Sequence, residues 1–204
     1  MSFQSANLQS VSGWVGRLLR LDLSVFDEVR SDPSATAGAV IVVAIASVFA
    51  GIGSWLWAVR TEPIDAGDVL VKSLVLGSML QTVVWFLWVY IVYQVLVRGY
   101  GVRADFYELI RTMGFAFAPV ALSILIVITN LAVPFGVASL ALAVLLTSAA
   151  IQSASSAHPQ QALTANITGF TVFAVVMGIM ANIAEVNTVG GLAPGLFFFS
   201  LDLL

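Results

Sequence analysis

Long apolar runs dominate this sequence, and the first of them, Ser34 to Val59, carries no charged side chain. Of all residues, 60% are hydrophobic and 9% are charged, whereas a soluble domain carries roughly 25% charged residues. A soluble fold of this size could not hide so much apolar surface, so the surplus is expected to face lipid. Four further runs follow: Val69 to Val97, one that contains Pro119 and ends near Leu131, Val137 to Ile151, and Pro159 to Ile183. The pattern predicts an all-α, polytopic helical membrane bundle of five transmembrane helices.

Helix start signals precede two of these runs. Asp32 and Pro33 come directly before the first span, where a carboxylate can accept bonds from free backbone amides and proline fits the first helical position. Asp105 and Glu108 have the spacing of a capping box before the third span.

Prolines interrupt the later runs. Pro119 lies inside the third span, where a proline removes one backbone hydrogen bond and is expected to kink the helix. Pro134 and Gly136 predict a break, which leaves the fourth span short, at about Val137 to Ile151.

An amphipathic segment precedes the first span. Leu8, Val11, Val15 and Leu18 recur at helical spacing, which predicts an interfacial helix. Ser24 and Asp27 resemble a capping box for a second short turn. An arm that packs on its own bundle is favoured over a specific lipid sensor. The chain is thus divided into a cytoplasmic amphipathic arm, a five-span membrane domain and an apolar interfacial C-terminal tail, at 1–31, 32–191 and 192–204.

The basic residues predict the orientation. Two groups of three arginines fall on one side of a five-span layout, namely Arg17, Arg20 and Arg30 with Arg98, Arg103 and Arg111. Only Arg60 and Lys72 flank the other side. Because cytoplasmic loops carry the excess of basic residues, we expect a multi-pass protein of the plasma membrane with its N-terminus in the cytoplasm and its C-terminus outside.

Composition argues against most catalytic and cofactor chemistry. The chain has no cysteine and a single histidine, His158, which lies in a polar loop and is expected to be solvated. We therefore expect no metal site, no cofactor and no enzymatic activity. The net charge of −3 lacks the basic footprint of a nucleic-acid-binding protein.

Two groups of polar residues remain as candidate sites. Asn182 and Glu185 share a helix face at the end of the fifth span, where an interfacial end residue is favoured over a proton or ion site. Glu108 and Arg111, with Tyr107, form either a solvated ion pair or a cytoplasmic docking patch, and both interpretations stay open. Other polar residues within the spans are expected to bond neighbouring helices, namely Gln81, Ser123, Thr129, Asn130, Asn166, Thr168 and Thr171.

The segment Asp105 to Pro119 is similar to the central segment of the Yip family, membrane proteins named for their interaction with Ypt/Rab GTPases. That segment has a capped amphipathic start, a glycine followed by an aromatic residue, and then a proline. Gly114, Phe115 and Pro119 stand at these positions. The stretch Phe26 to Pro33 resembles the prokaryotic branch of the family, and the five-span layout also matches.

This resemblance covers nearly the whole chain and implies a fold and a role. The role is that of a non-enzymatic scaffold or adaptor that acts through helix–helix, lipid and partner contacts, with a membrane protein or a second copy as partner. The alternative from the residues is a small transporter, or the membrane subunit of one, with a path near Asn182 and Glu185.

Overall fold

The protein, described by a computed structural model over residues 8–61 and 65–184, is built from helices joined by short turns. Five of these helices are long and apolar enough to cross a membrane, which confirms the predicted all-α bundle of five spans. The first to fifth spans are Ala35–Thr61, Ala66–Gly99, Phe106–Val127, Thr129–Ser153 and Pro159–Ala184.

The spans run alternately up and down, so that contacts between distant residues define two ends. At one end, Arg30 Nη1 donates to the carbonyl oxygen of Ser153 at 2.6 Å. At the other end, Arg60 Nη1 donates to the carbonyl oxygen of Val127 at 3.1 Å. We call the first end the arm face, since it carries the N-terminal arm, and the second the far face. The fifth span runs from the arm face toward the far face, as a five-span layout requires.

Two spans depart from regular α-helix. The second has π-helical turns at both ends, Leu70–Leu76 and Val95–Gly99. The third is α-helical over Phe106–Ala116 and then continues as a 3₁₀-helix over Ala118–Val127, with Pro119 in its first turn. Pro119 lacks the N–H that a continuing α-helix would need, so the expected kink takes the form of a change in helix type.

The prediction of a short fourth span was wrong. A 3₁₀ turn leads directly into an α-helix that runs over Ala132–Ser153, so it begins five residues before Val137. Pro134 is the third residue of this helix. The first four N–H groups of an α-helix have no partner within it, so a proline there removes no hydrogen bond.

The arm consists of two helices, α1 (Leu8–Leu18) and α2 (Val25–Ser31). Leu21 between them adopts a positive φ of 61°, which turns the chain back. The apolar faces of both helices are buried against the bundle through Val11, Leu18, Val25, Phe26 and Val29. This agrees with the favoured prediction of an arm packed on its own bundle.

At two of the three predicted helix starts an aspartate accepts hydrogen bonds from backbone amides, but the box predicted at Asp105 is only half formed, because the Glu108 side chain does not bond back to the Asp105 amide. Asp105 Oδ1 accepts hydrogen bonds from the amides of Tyr107 and Glu108 at 2.9 and 3.0 Å. Asp32 Oδ1 accepts from the amide of Ser34 at 2.9 Å, just before the first span. The capping box predicted at Ser24 was wrong, because the Ser24 hydroxyl donates to Asp22 Oδ1 at 2.6 Å and does not cap α2.

Aromatic side chains fill the core between the second, third and fifth spans. Trp88 lies 6.3 Å from Phe117 and 5.3 Å from Phe173, measured between ring centroids, and all three are at most 1% exposed. Gly169 of the fifth span faces Trp88 so closely that an added Cβ would run into the Trp88 ring and backbone. This glycine therefore sets the close approach of the second and fifth spans.

Candidate functional site

Arg111 joins three elements at the arm face. Its Nε and Nη2 atoms donate to the carbonyl oxygen of Arg30 at 3.0 and 2.6 Å, and Nη1 lies 3.5 Å from the hydroxyl of Thr36. Arg30 in turn donates to Ser153 on the fourth span. Both cationic side chains thus bond the last turn of α2 to the bundle. Hydrogen bonds from a charged donor are stronger than neutral ones, so these contacts fix the arm.

The structure places the three residues of the predicted docking patch, Tyr107, Glu108 and Arg111, in three different environments. Arg111 is only 8% exposed and bonds the arm, so it does not form the pair with Glu108 that the spacing allowed. Tyr107 is 62% exposed and points away from the bundle. Glu108 lines a pocket at the arm face. The patch therefore contributes one structural residue, one free surface residue and one pocket residue.

Gly114, Phe115 and Pro119 are packing residues. A Cβ at Gly114 would lie 2.7 Å from the Cβ of Ala39 and 3.0 Å from its carbonyl oxygen, so this glycine lets the third span approach the first. Phe115 is fully buried, and its ring meets that of Trp14 edge-on at 5.5 Å. Gly114 and Phe115 thus join the third span to the first span and to the arm, Pro119 is buried within the third span, and none of the three forms an exposed surface.

Charged side chains also hold the two arm helices together. Arg17 Nε donates to Asp22 Oδ2 at 2.8 Å, and Arg17 Nη1 donates to Glu28 Oε2 at 2.5 Å. The hydrogen bonds from the Ser24 hydroxyl and from Arg17 lower the pKa of Asp22 below its usual value, and those to Asp22 and Glu28 raise the pKa of Arg17.

A polar pocket of about 620 Å³ opens at the arm face. Its walls come from α2, the end of the second span, the turn at 101–105 and the loop after the fourth span. The turn and the loop are joined by an antiparallel bridge between Ala104 and Ser155 and by a bond from the Ser156 amide to the Arg103 carbonyl at 3.2 Å. Charged side chains of both signs line it: Arg30, Arg103, Asp105 and Glu108.

Interhelical bonding, predicted for the polar residues of the spans, is found at Asn166 and Ser123. The Asn166 amide donates to the Val144 carbonyl and the Ser148 hydroxyl, both at 2.8 Å, and its oxygen accepts from Trp88 Nε1 at 3.2 Å. The Ser123 and Ser139 hydroxyls lie 2.7 Å apart. Ser139 and Ser148 were missed. They lie about half a turn apart round the fourth span and bond the third and the fifth span respectively, so no single helical periodicity marked both of them.

Gln81 behaves differently. Its side chain is fully buried, and neither its Nε2 nor its Oε1 atom has a hydrogen-bond partner. The Ser47 hydroxyl of the first span is also buried without a partner, although Ser78, one turn before Gln81, donates to the Ser47 carbonyl at 3.0 Å.

The candidate site at Asn182 and Glu185 stays a prediction. The side chain of Asn182, the whole of Glu185 and the C-terminal tail lie outside the described residues.

Metal-binding and buried charged side chains are few in the described part of the chain. Within residues 8–61 and 65–184, no group of three His, Cys, Asp or Glu side chains could hold a metal ion. Over the same residues, Arg111 is the one buried charged side chain, and His158 is exposed in its loop. No family model, curated protein or solved structure matches the chain.

Proposed function

We propose that this multi-pass membrane protein is a non-enzymatic scaffold of the Yip type, which presents its arm face to a membrane protein partner or to a second copy. The proposal rests on one observation, which is that two arginine side chains bond the arm to the bundle. The buried guanidinium of Arg111 and the half-buried one of Arg30 bond the arm to the bundle, so they stabilise a fixed surface. A rigid surface binds a partner without the entropy cost of ordering it first.

The composition of the interior supports the same role. Ion and proton transporters usually place ionisable side chains inside the bundle, paired with each other or facing water. The buried polar side chains in the described spans are serines, threonines, Asn166 and Gln81, together with Arg111 at the arm face. Aromatic packing around Trp88 and Phe117 fills the space between the second, third and fifth spans.

One observation favours transport as a second candidate function. The Gln81 amide and the Ser47 hydroxyl are buried with free hydrogen-bonding capacity, which a polar solute on a path through the bundle could use. The two functions differ in whether water reaches the interior, and the absence of cysteine in the chain makes this measurable.

The first experiment labels single cysteines in intact cells with a thiol reagent that does not cross membranes. Ser123→Cys and Gly178→Cys probe buried positions, and Ala66→Cys and Ala157→Cys probe the far-face and arm-face turns. A scaffold with the predicted orientation gives labelling at Ala66→Cys and none at the two buried positions. Labelling at Ser123→Cys or Gly178→Cys would instead support a water-filled path and the transport function.

The second experiment looks for the partner directly. A photo-crosslinking amino acid replaces Tyr107, which is exposed at the arm face, and in a control chain replaces Leu145, which is 66% exposed in the middle of the fourth span. We expect a discrete protein adduct, or a crosslinked dimer, from Tyr107 and only lipid adducts from Leu145. Absence of a discrete adduct from Tyr107, combined with labelling of the interior, would contradict the scaffold role.

A further inference from the structure

Four charged side chains line the polar pocket at the arm face, and the fold uses only part of their hydrogen-bonding capacity. Within the part of the chain that the structure describes, the Arg103 guanidinium and the Glu108 carboxylate have neither an ion-pair nor a hydrogen-bond partner. Asp105 uses Oδ1 to cap the third span and keeps Oδ2 free. Arg30 bonds Ser153 through Nη1, and its Nη2 remains available. Two cations and two anions therefore line one cavity without forming an ion pair with each other.

The position of the pocket is that of a membrane interface. Tyr93 and Val97, from the last turns of the second span, form its wall on the membrane side. The charged residues lie beyond them, on α2, on the turn at 101–105 and on the first turn of the third span. Tyrosines gather at the level of lipid headgroups, and Tyr90 and Tyr107 are exposed at the same end of the bundle. A ligand here would meet an apolar wall on one side and charges of both signs on the other.

We propose that this pocket binds the headgroup of an aminophospholipid, with the phosphate at Arg30 and Arg103 and the primary ammonium at Asp105 and Glu108. A purely anionic headgroup would be repelled by the two carboxylates, and a simple cation by the two arginines. A zwitterion matches both pairs. Arginine suits phosphate because its planar fork donates two parallel hydrogen bonds.

The carboxylates select among zwitterionic lipids. A primary ammonium carries three N–H donors, as a lysine side chain does, and can hydrogen-bond both Asp105 and Glu108. The quaternary ammonium of a choline headgroup has no N–H and offers charge alone. The pocket is therefore expected to prefer phosphatidylethanolamine over phosphatidylcholine.

The test measures lipid retention by the full-length protein. The protein is equilibrated with equal amounts of phosphatidylethanolamine, phosphatidylcholine and phosphatidylglycerol, and bound lipids are counted by native mass spectrometry. We expect about threefold preference for phosphatidylethanolamine over each competitor, since a solvent-accessible charge contact contributes under about 1 kcal/mol. Equal retention of phosphatidylethanolamine and phosphatidylcholine would overturn the proposal.

Variants separate the two halves of the site. Glu108→Gln should remove most of the preference over phosphatidylcholine, Glu108→Asp should keep it, and Asp68→Asn at the far face serves as the matched carboxylate control. Arg103→Gln should weaken both zwitterionic lipids by a similar factor, because both carry the phosphate. A preference unchanged in Glu108→Gln would overturn the assignment. Displacement of the lipid by an equal concentration of free phosphoethanolamine would make a soluble compound the ligand and also overturn it.

Discussion

Among the side chains that the structure describes, the carboxamides of Asn166 and Gln81 are both fully buried, and their surroundings differ. Asn166 of the fifth span has three partners, which are the Trp88 indole, the Val144 carbonyl and the Ser148 hydroxyl. Gln81 of the second span has none. The difference shows that a polar side chain in a span stabilises the fold only where its neighbours supply complementary groups. A sequence gives the residue type, whereas the partners depend on which helices meet.

The largest change in the free energy of unfolding is expected from substitution of Asn166. Asn166→Leu keeps the size of the side chain but leaves the buried Trp88 N–H without a partner, and it removes the two bonds to the fourth span, where the Ser148 hydroxyl still donates to the Val144 carbonyl. An unsatisfied buried group costs about 1–3 kcal/mol, so we expect the free energy of unfolding to fall by about 2 kcal/mol. The measurement is equilibrium unfolding in mixed micelles with increasing sodium dodecyl sulfate. Thr168→Val, at an exposed position two residues further along the same helix, is the control and should change little. An equal loss in both variants would refute the role of the Asn166 bonds.

Substitution of Gln81 is expected to change the free energy of unfolding in the opposite direction. Gln81→Met retains the length of the side chain and removes two buried polar atoms that have no partner. Because an unpartnered amide opposes burial, we expect the free energy of unfolding to rise by about 1 kcal/mol in the same assay. Ser123→Ala, which breaks the Ser123–Ser139 bond, should lower it instead. A loss of stability in Gln81→Met would mean that a water molecule or a solute normally satisfies the amide, and would strengthen the transport function.

The fold was predictable from the sequence because each span needs only length and hydrophobicity, which local composition records. The start at Asp105 was predictable for the same reason, since its cap uses the next two residues along the helix. The wrong predictions concern features that depend on where a helix begins or on which neighbouring group a side chain bonds. Pro134 was read as a break because its place in the first turn depends on where the helix begins. Ser24 was assigned as a cap, yet a hydroxyl that can reach either the helix or Asp22 bonds the latter.

The candidate site was less predictable than the fold. Arg111 was paired with Glu108 on spacing alone, whereas its partner, the Arg30 carbonyl, lies 81 residues away in the sequence. The arm-face pocket likewise forms only where three stretches of the sequence meet, namely Arg30, residues 93–108 and residues 154–156. No local pattern in one sequence records such a meeting, so the residues were identified as candidates but their roles were not.

The smallest change in stability is expected from the exposed ion pairs of the arm. These pairs allow buried polar contacts to be compared with polar contacts that face water. Asp22 has its pKa lowered by bonds from Ser24 and Arg17, so its charged form is favoured when the arm is folded. Such a group stabilises the fold above its usual pKa of about 4, and that contribution is lost as pH falls through the lower, folded pKa. Because the side chains of Arg17 and Asp22 are 38% and 40% exposed, solvent screens the contact. We therefore expect the arm to stay docked from neutral pH down to about 4 and to loosen slightly below it.

A spin label on a cysteine placed at Gly13, which is exposed on α1 with open space around it, reports this loosening as increased mobility. The same label in an Asp22→Asn chain should show slightly higher mobility at neutral pH and lack the component that titrates below pH 4. Loosening that begins between pH 5 and 7 would assign the arm contact to another group. An identical titration with and without Asp22 would show that the buried contacts of Phe26 and Arg111 hold the arm unaided. The exposed ion pairs would then contribute nothing to the stability of the docked arm beyond the contribution of its buried contacts.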